Sequence, residues 1–340
     1  MKLKDVSKLK NGKKANYSNI GNIPVYGANG IIGYTDKPNS PKNAIIIGRV
    51  GANAGSVFYS FKEHWVSDNA ISVLPINDRV NPYYLYYALF KLDLNRLVEG
   101  SAQPLINQTI LNSFDISIPD IVFQDKVVEK ILILDKKISL NKHINDNLLE
   151  LAKASYRKVL AVSNLTETKL KDFATITMGQ SPSSKTYNED KVGLALLNGA
   201  ADFRNGIHPS KWTTDPKRIV NKGSYIFGVR ATIGLTTKVF DKYAIGRGTG
   251  SAVSKDTVND EFLYFVLDDM FKYFSNSGSG SVYINISKSD FNDYIFCKPQ
   301  TNDLQKFHQT VGPIMNKIYT NKQENLILTQ VKETLLNKYF

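Results

Sequence analysis

Residues Phe123–Leu160 read FQDKVVEKILILDKKISLNKHINDNLLELAKASYRKVL. Apolar side chains recur in this stretch at alternating spacings of four and three residues. Such a pattern is typical of a long helix that pairs with another helix along one seam. Two asparagines interrupt the apolar series without changing its spacing. The predicted seam consists of Val127, Ile131, Leu134, Ile138, Asn141, Asn145 and Leu148.

The same pattern returns near the end of the chain. Its tandem asparagines, Asn321 and Asn325, stand 180 positions after Asn141 and Asn145. Aliphatic seams are common, but two asparagines at the same depth are rarely matched by chance. The sequence therefore predicts an internal duplication. The second predicted seam consists of Phe307, Val311, Ile314, Ile318, Asn321, Asn325 and Leu328.

Landmarks outside the helices repeat as well. A buried-strand pattern ends in a glycine turn at Gly48 and again at Gly228, also 180 residues apart. The tripeptide Leu3–Asp5 recurs as Leu170–Asp172 at the shorter offset of 167. We therefore expect the second globular region to be longer near its start, through insertions such as the polar stretch Gly179–Lys185.

The predicted organisation has four parts: a globular region at 1–120, a long helix at 121–161, a globular region at 165–300 and a long helix at 301–340. Short apolar strands separated by Gly-, Asn-, Ser- and Pro-rich loops, with one aromatic helix in each region, predict an α/β or α+β fold. A helix of ~37 residues is about 55 Å long, too long to bury along one small domain.

Pairing with each other would bury both seams. If the two helices run antiparallel as a coiled coil, the asparagine layers meet in the middle and fix the register. The globular regions would then be related by an approximate two-fold axis. Gly312 and Pro313 fall inside the second helix, where the proline is expected to produce a kink.

Composition excludes several classes of protein. The 340 residues are 42% hydrophobic and 22% charged, which is ordinary for a folded globular protein. The one cysteine, Cys297, excludes an internal disulfide and a cysteine-based zinc cluster. With no apolar run near ~18 residues and no signal peptide pattern, a cytoplasmic protein is expected. The formal net charge of +12 is spread over both halves and favours a polyanionic partner, although it also suits a basic surface without special purpose.

The tandem of globular region and long helix resembles the specificity (S) subunit of type I restriction–modification enzymes. The local segments that carry this resemblance keep the family's order along nearly the whole chain. They are Leu3–Asp5, Gly100–Thr109 (GSAQPLINQT), Pro119–Lys126 (PDIVFQDK), Lys169–Ser184 (KLKDFATITMGQSPSS), Ile286–Phe291 (ISKSDF) and Pro299–Lys306 (PQTNDLQK).

The resemblance implies that each globular region is a target-recognition domain that reads one half of a bipartite double-stranded DNA site. The helices would hold the halves at a fixed separation and bind two methyltransferase (modification) subunits, which restriction subunits then join. S-adenosylmethionine, ATP and Mg are expected on those partners, and no cofactor or metal on this chain. Terminal extensions that brace some relatives are not seen in this sequence, so a weaker assembly is expected.

Catalytic patterns are incomplete. Asn81–Tyr84 lacks the second proline of the Asn-Pro-Pro-Tyr loop of adenine methyltransferases, and Gly246–Gly250 does not fit a nucleotide-binding fingerprint. Asp120 with Asp135–Lys137 loosely resembles a metal-dependent nuclease. Asp135 lies between two seam residues, however, so a solvated helix face is the favoured interpretation. The histidines show no metal-ligand spacing. The sequence predicts a non-catalytic subunit; the alternative is a paired-domain coiled-coil scaffold for another ligand or protein partner.

Polar and basic residues in the glycine-rich loops are the predicted DNA contacts, because backbone there can approach phosphates while side chains reach base edges. In the first region they are Lys13, Lys14, Asn29, Arg49, Asn53, Gln103, Asn107 and Gln108. In the second region they are Ser181, Ser183, Lys185, Arg204, Arg230, Arg247 and Lys288.

Overall fold

The computed structural model describes residues 1–97, 105–204, 206–229, 234–277 and 287–340. The chain forms two compact units. Unit 1 consists of Met1–Lys137 and Leu328–Phe340, and unit 2 consists of Ile138–Ile327. Each unit thus combines a globular part with segments of both long helices.

Unit 1 is built on a four-stranded antiparallel sheet with strand order β1-β7-β4-β5 and a smaller sheet with strand order β3-β2-β6. Its strands are β1 (Ser7–Asn11), β2 (Ile23–Gly27), β3 (Gly30–Thr35), β4 (Ala44–Gly48), β5 (Val57–Ser60), β6 (Trp65–Val66) and β7 (Ala70–Pro75). Its helices are α1 (Pro82–Lys91), α2 (Gln108–Ser113) and the first part of α3 (Ile121–Val162).

The core of unit 1 lies between the larger sheet and α1. Every residue of β4 is buried, as expected for a central strand with a continuous apolar run. Asn81 caps α1 by accepting hydrogen bonds from the backbone N–H groups of Tyr83 and Tyr84, and Pro82 occupies the first helical position. The Asn81–Tyr84 segment that resembles a methyltransferase loop is therefore a helix start.

Asp135 corrects one expectation from the sequence. Its carboxylate accepts hydrogen bonds from the hydroxyls of Tyr83, at 2.7 Å, and Tyr87, and it pairs with the Lys332 ammonium at 2.9 Å. Burial, together with these bonds to Asp135, raises the pKa of both tyrosines. The interpretation as a solvated helix face is wrong, because the apolar spacing gave no sign of the polar partners that α1 supplies.

Unit 2 contains a four-stranded sheet with order β15-β14-β17-β9, a five-stranded sheet with order β10-β12-β11-β16-β13, and the pair β18-β8. The strands are β8 (Leu165–Lys169), β9 (Ala174–Met178), β10 (Tyr187–Asn188), β11 (Leu194–Leu197), β12 (Lys211–Thr213), β13 (Ile219–Val220), β14 (Tyr225–Gly228), β15 (Thr236–Lys238), β16 (Tyr243–Ile245), β17 (Thr249–Ser254) and β18 (Ile295–Pro299). The helices are the remainder of α3, α4 (Leu170–Phe173), α5 (Asp260–Ser277), α6 (Lys288–Asp293) and α7 (Thr301–Tyr339), whose last part belongs to unit 1.

The larger sheet of unit 1 and the four-stranded sheet of unit 2 have the same strand order when β1, β7, β4 and β5 are matched with β9, β17, β14 and β15. Gly48 pairs with Ala70 in β7, and Gly228 pairs with Thr249 in β17. Gly12 donates its N–H to Ala70 at 3.0 Å, as Gly179 does to Thr249 at 2.9 Å. The predicted repeat of two mixed helix and sheet regions is therefore confirmed.

The repeat also locates the extra residues of unit 2. Equivalent positions are 167 residues apart at Gly12 and Gly179, and 180 apart at Gly48 and Gly228. The added segments include β10, which pairs with the outer side of β12, and the long connection from β11 to β12. Tyr26 and Leu197, whose carbonyls accept from Ser67 and Gly246, are 171 residues apart, so most of the added length follows β11. Strand β10 lies after the polar stretch Gly179–Lys185 that was suggested from the sequence.

Within unit 2, α3 and α7 contact each other through the tandem asparagines. Asn321 donates its amide N–H to Asn145 at 2.9 Å, and Asn141 donates to Asn325 at 2.9 Å. The contacts run in antiparallel order. Three aromatic or sulfur-containing side chains are buried beside this seam although the spacing did not include them: Tyr156, Met315 and Tyr319. Helix α7 is continuous through Pro313.

Candidate nucleic-acid interface

Three loops of unit 1 converge at Gly48. A Cβ atom on Gly48 would lie 2.6 Å from the carbonyl oxygens of both Ala28 and Asn53, so only glycine allows this approach. Ala28 and Asn29 form the turn between β2 and β3, and Asn53 ends the 3-10 turn Gly51–Asn53. The structure therefore brings together the loops of three predicted contact residues, Asn29, Arg49 and Asn53.

Arg49 is held on both sides of its peptide backbone. Its N–H donates to the Asn69 carbonyl at 2.9 Å, and its carbonyl accepts from the Ile106 N–H at 2.9 Å. Its side chain is half-buried, and the guanidinium Nε has no hydrogen-bond partner among the described residues. The guanidinium carries five N–H donors, and the exposed part of this side chain suits a phosphate oxygen or a guanine edge.

Lys13 and Lys14 follow β1 and are exposed. The Lys13 backbone is fixed beside β6, because its N–H donates to Val66 at 3.0 Å and its carbonyl accepts from the Trp65 indole at 2.8 Å. Flexible ammonium groups on a fixed backbone suit phosphate contacts rather than base recognition.

Asn107 and Gln108 lie at the start of α2, near Arg49. Asn107 caps the helix, since its side-chain oxygen accepts from the Ile110 N–H at 2.9 Å. Gln108 is half-buried. Residue Gln103 lies outside the described ranges, so its predicted contact is not tested.

In unit 2, Ser181 and Arg247 lie in one loop cluster. The Ser181 hydroxyl donates to the Asn198 side-chain oxygen at 3.4 Å and accepts from the Arg247 N–H at 3.2 Å. A Cβ on Gly246 would lie only 2.0 Å from the same Asn198 oxygen. The exposed Arg247 side chain therefore projects from a tightly held turn.

The other predicted residues of unit 2 are exposed but less constrained. Ser183 and Lys185 lie in and beside a 3-10 turn, and Arg204 lies in the connection from β11 to β12. Lys288 is the first residue of α6, and no hydrogen bond among the described residues joins it to the Ser181 loop. Arg230 falls outside the described ranges.

The repeat assigns equivalent positions in the two interfaces. The Val229 N–H donates to Gly248 at 3.2 Å, as the Arg49 N–H does to Asn69, so Val229 rather than Arg230 matches Arg49. By the same equivalence Arg247 matches Asp68. Equivalent backbone hydrogen bonds therefore hold different side chains in the two units.

Sequence reasoning missed Asp68, Asn69 and Asn198, which lie in these hydrogen-bonded turns. The polar run Ser67–Asn69 directly before β7 was the available signal, because it occupies the repeat position of Gly246–Gly248.

Within the described ranges, no group of three or more His, Cys, Asp or Glu residues could hold a metal ion. Gly246–Gly248 is the turn that leads into β17 rather than a phosphate loop. Among the described helices, none is both long and apolar enough to cross a membrane.

The comparisons with known proteins agree on one family. The model of the type I restriction modification DNA specificity domain matches residues 1–150 and 163–330. The "Putative type I restriction enzyme MjaX specificity subunit" of Methanocaldococcus jannaschii is 26% identical over 301 residues, which cover 79% of this chain and 69% of that protein. The type I restriction enzyme HindI specificity subunit of Haemophilus influenzae is 22% identical over 404 residues, with 88% of this chain and 87% of that protein covered.

A solved structure supports the fold. The crystal structure of the type I restriction–modification system S subunit from M. genitalium has a TM-score of 0.69 at 17% identity, and the match covers 100% of this chain and 95% of that one. Specificity subunits are the non-catalytic members of their complexes, in agreement with the prediction that this chain is not an enzyme. The family model covers both repeats, and the chain belongs to the type I restriction modification DNA specificity family.

Proposed function

We propose that this chain is the sequence-specific DNA-binding subunit of a type I restriction–modification complex and that it recognises a bipartite target. The observation that carries the proposal is a cluster of closely packed, glycine-containing loops that recurs in both units. Each unit holds an exposed or half-buried arginine, Arg49 or Arg247, in a turn whose backbone is hydrogen-bonded to a neighbouring loop. Two similar backbone arrangements that carry different side chains fit two different half-sites.

In this proposal the recognition domains are residues 1–120 and 165–300, and the long helices 121–161 and 301–340 form an antiparallel coiled coil between them. The paired asparagines support it, because buried Asn contacts select one register at some cost in stability. A fixed register would hold the half-sites at one separation. The approximate two-fold relation of the repeats would make the two half-sites run in opposing orientations on the duplex.

The partners in this proposal are double-stranded DNA, two methyltransferase subunits and the restriction subunits. Two similar repeats imply two similar docking sites, formed by the outer faces of the helices and nearby domain surfaces. S-adenosylmethionine, ATP and Mg would then be bound by the partner subunits. Mass measurement of the co-expressed complex should show two methyltransferase copies for each copy of this chain.

Selection of duplexes from a random library by the full chain tests the DNA-binding proposal. We expect two short conserved sequences separated by a gap of constant length. Binding should weaken steeply with salt, because the release of counterions from DNA is less favourable at high salt. Sequencing of methylated adenines in the host should return the same bipartite site, with one methylated adenine in each half on opposite strands. Retention of random duplexes without any enriched sequence would contradict sequence-specific recognition.

The alternative is a non-catalytic paired-domain scaffold that binds another ligand or a protein. The basic charge and the partly exposed Arg49 side chain favour a polyanion over a neutral ligand. A salt-dependent shift of duplex DNA in a gel separates the two functions, since the scaffold alternative predicts no such shift.

A further inference from the structure

The hairpin of β2 and β3 carries two adjacent exposed isoleucines. Val25 pairs with Gly33, but Tyr26 pairs with Ile31, so Ile32 is an extra residue in β3. Such a β-bulge interrupts the regular alternation of faces. As a result Ile31 is 51% exposed and Ile32 is 44% exposed, although they are consecutive in one strand.

Exposed isoleucines on an edge strand normally favour aggregation, so their retention calls for a role. Strand β3 is at the edge of its sheet. Among the described residues, hydrogen bonds from the preceding loop reach its far end, from the Ser18 N–H to Tyr34 at 2.9 Å and from the Thr35 hydroxyl to Asn16 at 2.7 Å. The equivalent strand of unit 2, β12, is covered on that side by β10. Unit 1 therefore leaves a small apolar surface that unit 2 does not have at this position.

This surface is continuous with the candidate nucleic-acid interface. Ile31 and Ile32 begin two residues after Asn29, at the hairpin turn that lies against Gly48 and next to Arg49. The turn carries the Asn29 amide and lies beside Arg49, whereas Lys13 lies at the opposite edge of the same sheet, next to β6. Aliphatic side chains next to an amide and an arginine fit the edge of a base pair better than a wholly apolar protein surface.

We propose that Ile31 and Ile32 contact the C5-methyl groups of thymines in the major groove of the half-site read by unit 1. The inference rests on the proposed function and deepens it. A two-stranded ribbon fits the ~12 Å major groove, and the thymine methyl is the apolar mark that this groove offers. The bulge aims both side chains outward, so the hairpin can read one or two A·T pairs beside the polar contacts of Asn29 and Arg49.

Replacing thymine with deoxyuridine tests the proposal, because it removes only the methyl group. The full chain is first used to select its target, and each thymine of both half-sites is then replaced in turn. For the unmodified chain we expect about fourfold weaker binding at one or two positions of a single half-site, the value of one buried methyl. The Ile31→Ser/Ile32→Ser double variant should bind the original target several-fold more weakly and should be insensitive to deoxyuridine at those positions.

Ile76→Ser is the matched control, since Ile76 is 50% exposed and follows β7 at the end opposite Ala70. It should bind DNA normally and keep the deoxyuridine response. A half-site without thymine, or a double variant as sensitive to deoxyuridine as the unmodified chain, would overturn the inference. A double variant that loses methyltransferase binding while its DNA affinity is unchanged would assign the surface to a protein partner and overturn it too. Failure to select any target would instead count against the proposed function.

Discussion

Asn321 donates its side-chain N–H to the side-chain oxygen of Asn145 across 2.9 Å, and exchange of the two repeats converts this bond into the one from Asn141 to Asn325. The two acceptors, Asn145 and Asn325, each donate a further hydrogen bond, and exchange of the repeats also converts one of these bonds into the other. Asn145 donates to the Ile318 carbonyl and Asn325 to the Ile138 carbonyl, both at 3.3 Å. A self-complementary set of hydrogen bonds of this kind penalises any shift of one helix along the other.

Removal of one member of this layer should be costly. We expect Asn145→Ala to lower the free energy of unfolding by about 1–3 kcal/mol, because the buried amide of Asn321 loses its acceptor. Denaturant titration of the full chain measures the change. Asn147→Ala is the control, since Asn147 is exposed on the same helix and its substitution should change stability by less than about 0.5 kcal/mol. Equal effects of the two substitutions would contradict a special role for the layer.

The proposal that the coiled coil sets the separation of the half-sites predicts the length of the spacer in the DNA target. Insertion or deletion of one heptad in both long helices should change the tolerated gap between half-sites by about three base pairs, since seven residues span ~10.5 Å. Target selection with the altered chain measures the gap. A change confined to one helix would break the seam register and serves as the control. An unchanged gap with altered half-sites would show that the helices do not set the separation of the half-sites.

Arg49 should contribute to both affinity and sequence preference. We expect Arg49→Ala to weaken binding of the selected duplex by about 5- to 150-fold, the range for a guanidinium contact to a base edge, and to relax one position of one half-site. Competition binding against single-base variants of the target measures both effects. Arg157→Ala, at an exposed position of α3, should leave DNA binding by the chain unchanged. An Arg230→Ala variant tests a predicted contact of the second region. Unchanged affinity and preference in both interface variants would show the assignment to be wrong.

The Asp135 carboxylate stabilises unit 1 by satisfying three donors at once. Asp135→Ala should lower the free energy of unfolding by about 2–4 kcal/mol, because Tyr83, Tyr87 and Lys332 all lose their acceptor. Asp146→Ala, at an exposed site on the same helix, should have little effect. Thermal and denaturant unfolding measure the difference, and a loss below about 0.5 kcal/mol for Asp135→Ala would not be compatible with this network.

His64 should make unit 1 sensitive to mild acid. The side chain is fully buried, and burial lowers its pKa in the folded state despite the hydrogen bond to the Lys62 carbonyl. Below pH ~6.5 His64 binds a proton in the unfolded chain but not in the folded chain. Stability therefore falls as the pH decreases from ~6.5 towards the lowered pKa of His64 in the folded state. The melting temperature of His64→Phe should decline less between pH 7 and pH 5 than that of the original chain. His143→Phe, at an exposed site, should keep the original pH dependence; an identical decline in His64→Phe would exclude His64 as its source.

The repeat and the helical seam were predictable because their signals are periodic and local. Spacings of four and three residues reveal the buried face of a helix, and the shared asparagine pair reveals the duplication without any tertiary information. Glycine turns after buried strands at Gly48 and Gly228 were visible for the same reason, since strand and turn are adjacent in the chain.

The partners of individual side chains were decided by tertiary structure alone. Asp135 lies in the middle of a seam pattern, yet its tyrosine partners come from α1 and its lysine partner from α7. The meeting of the Asn29, Arg49 and Asn53 loops depends on the packing of two sheets around one glycine. Spacing along a chain records which residues face inward, whereas the groups that meet there come from distant segments, and their distances are determined only when the chain is folded.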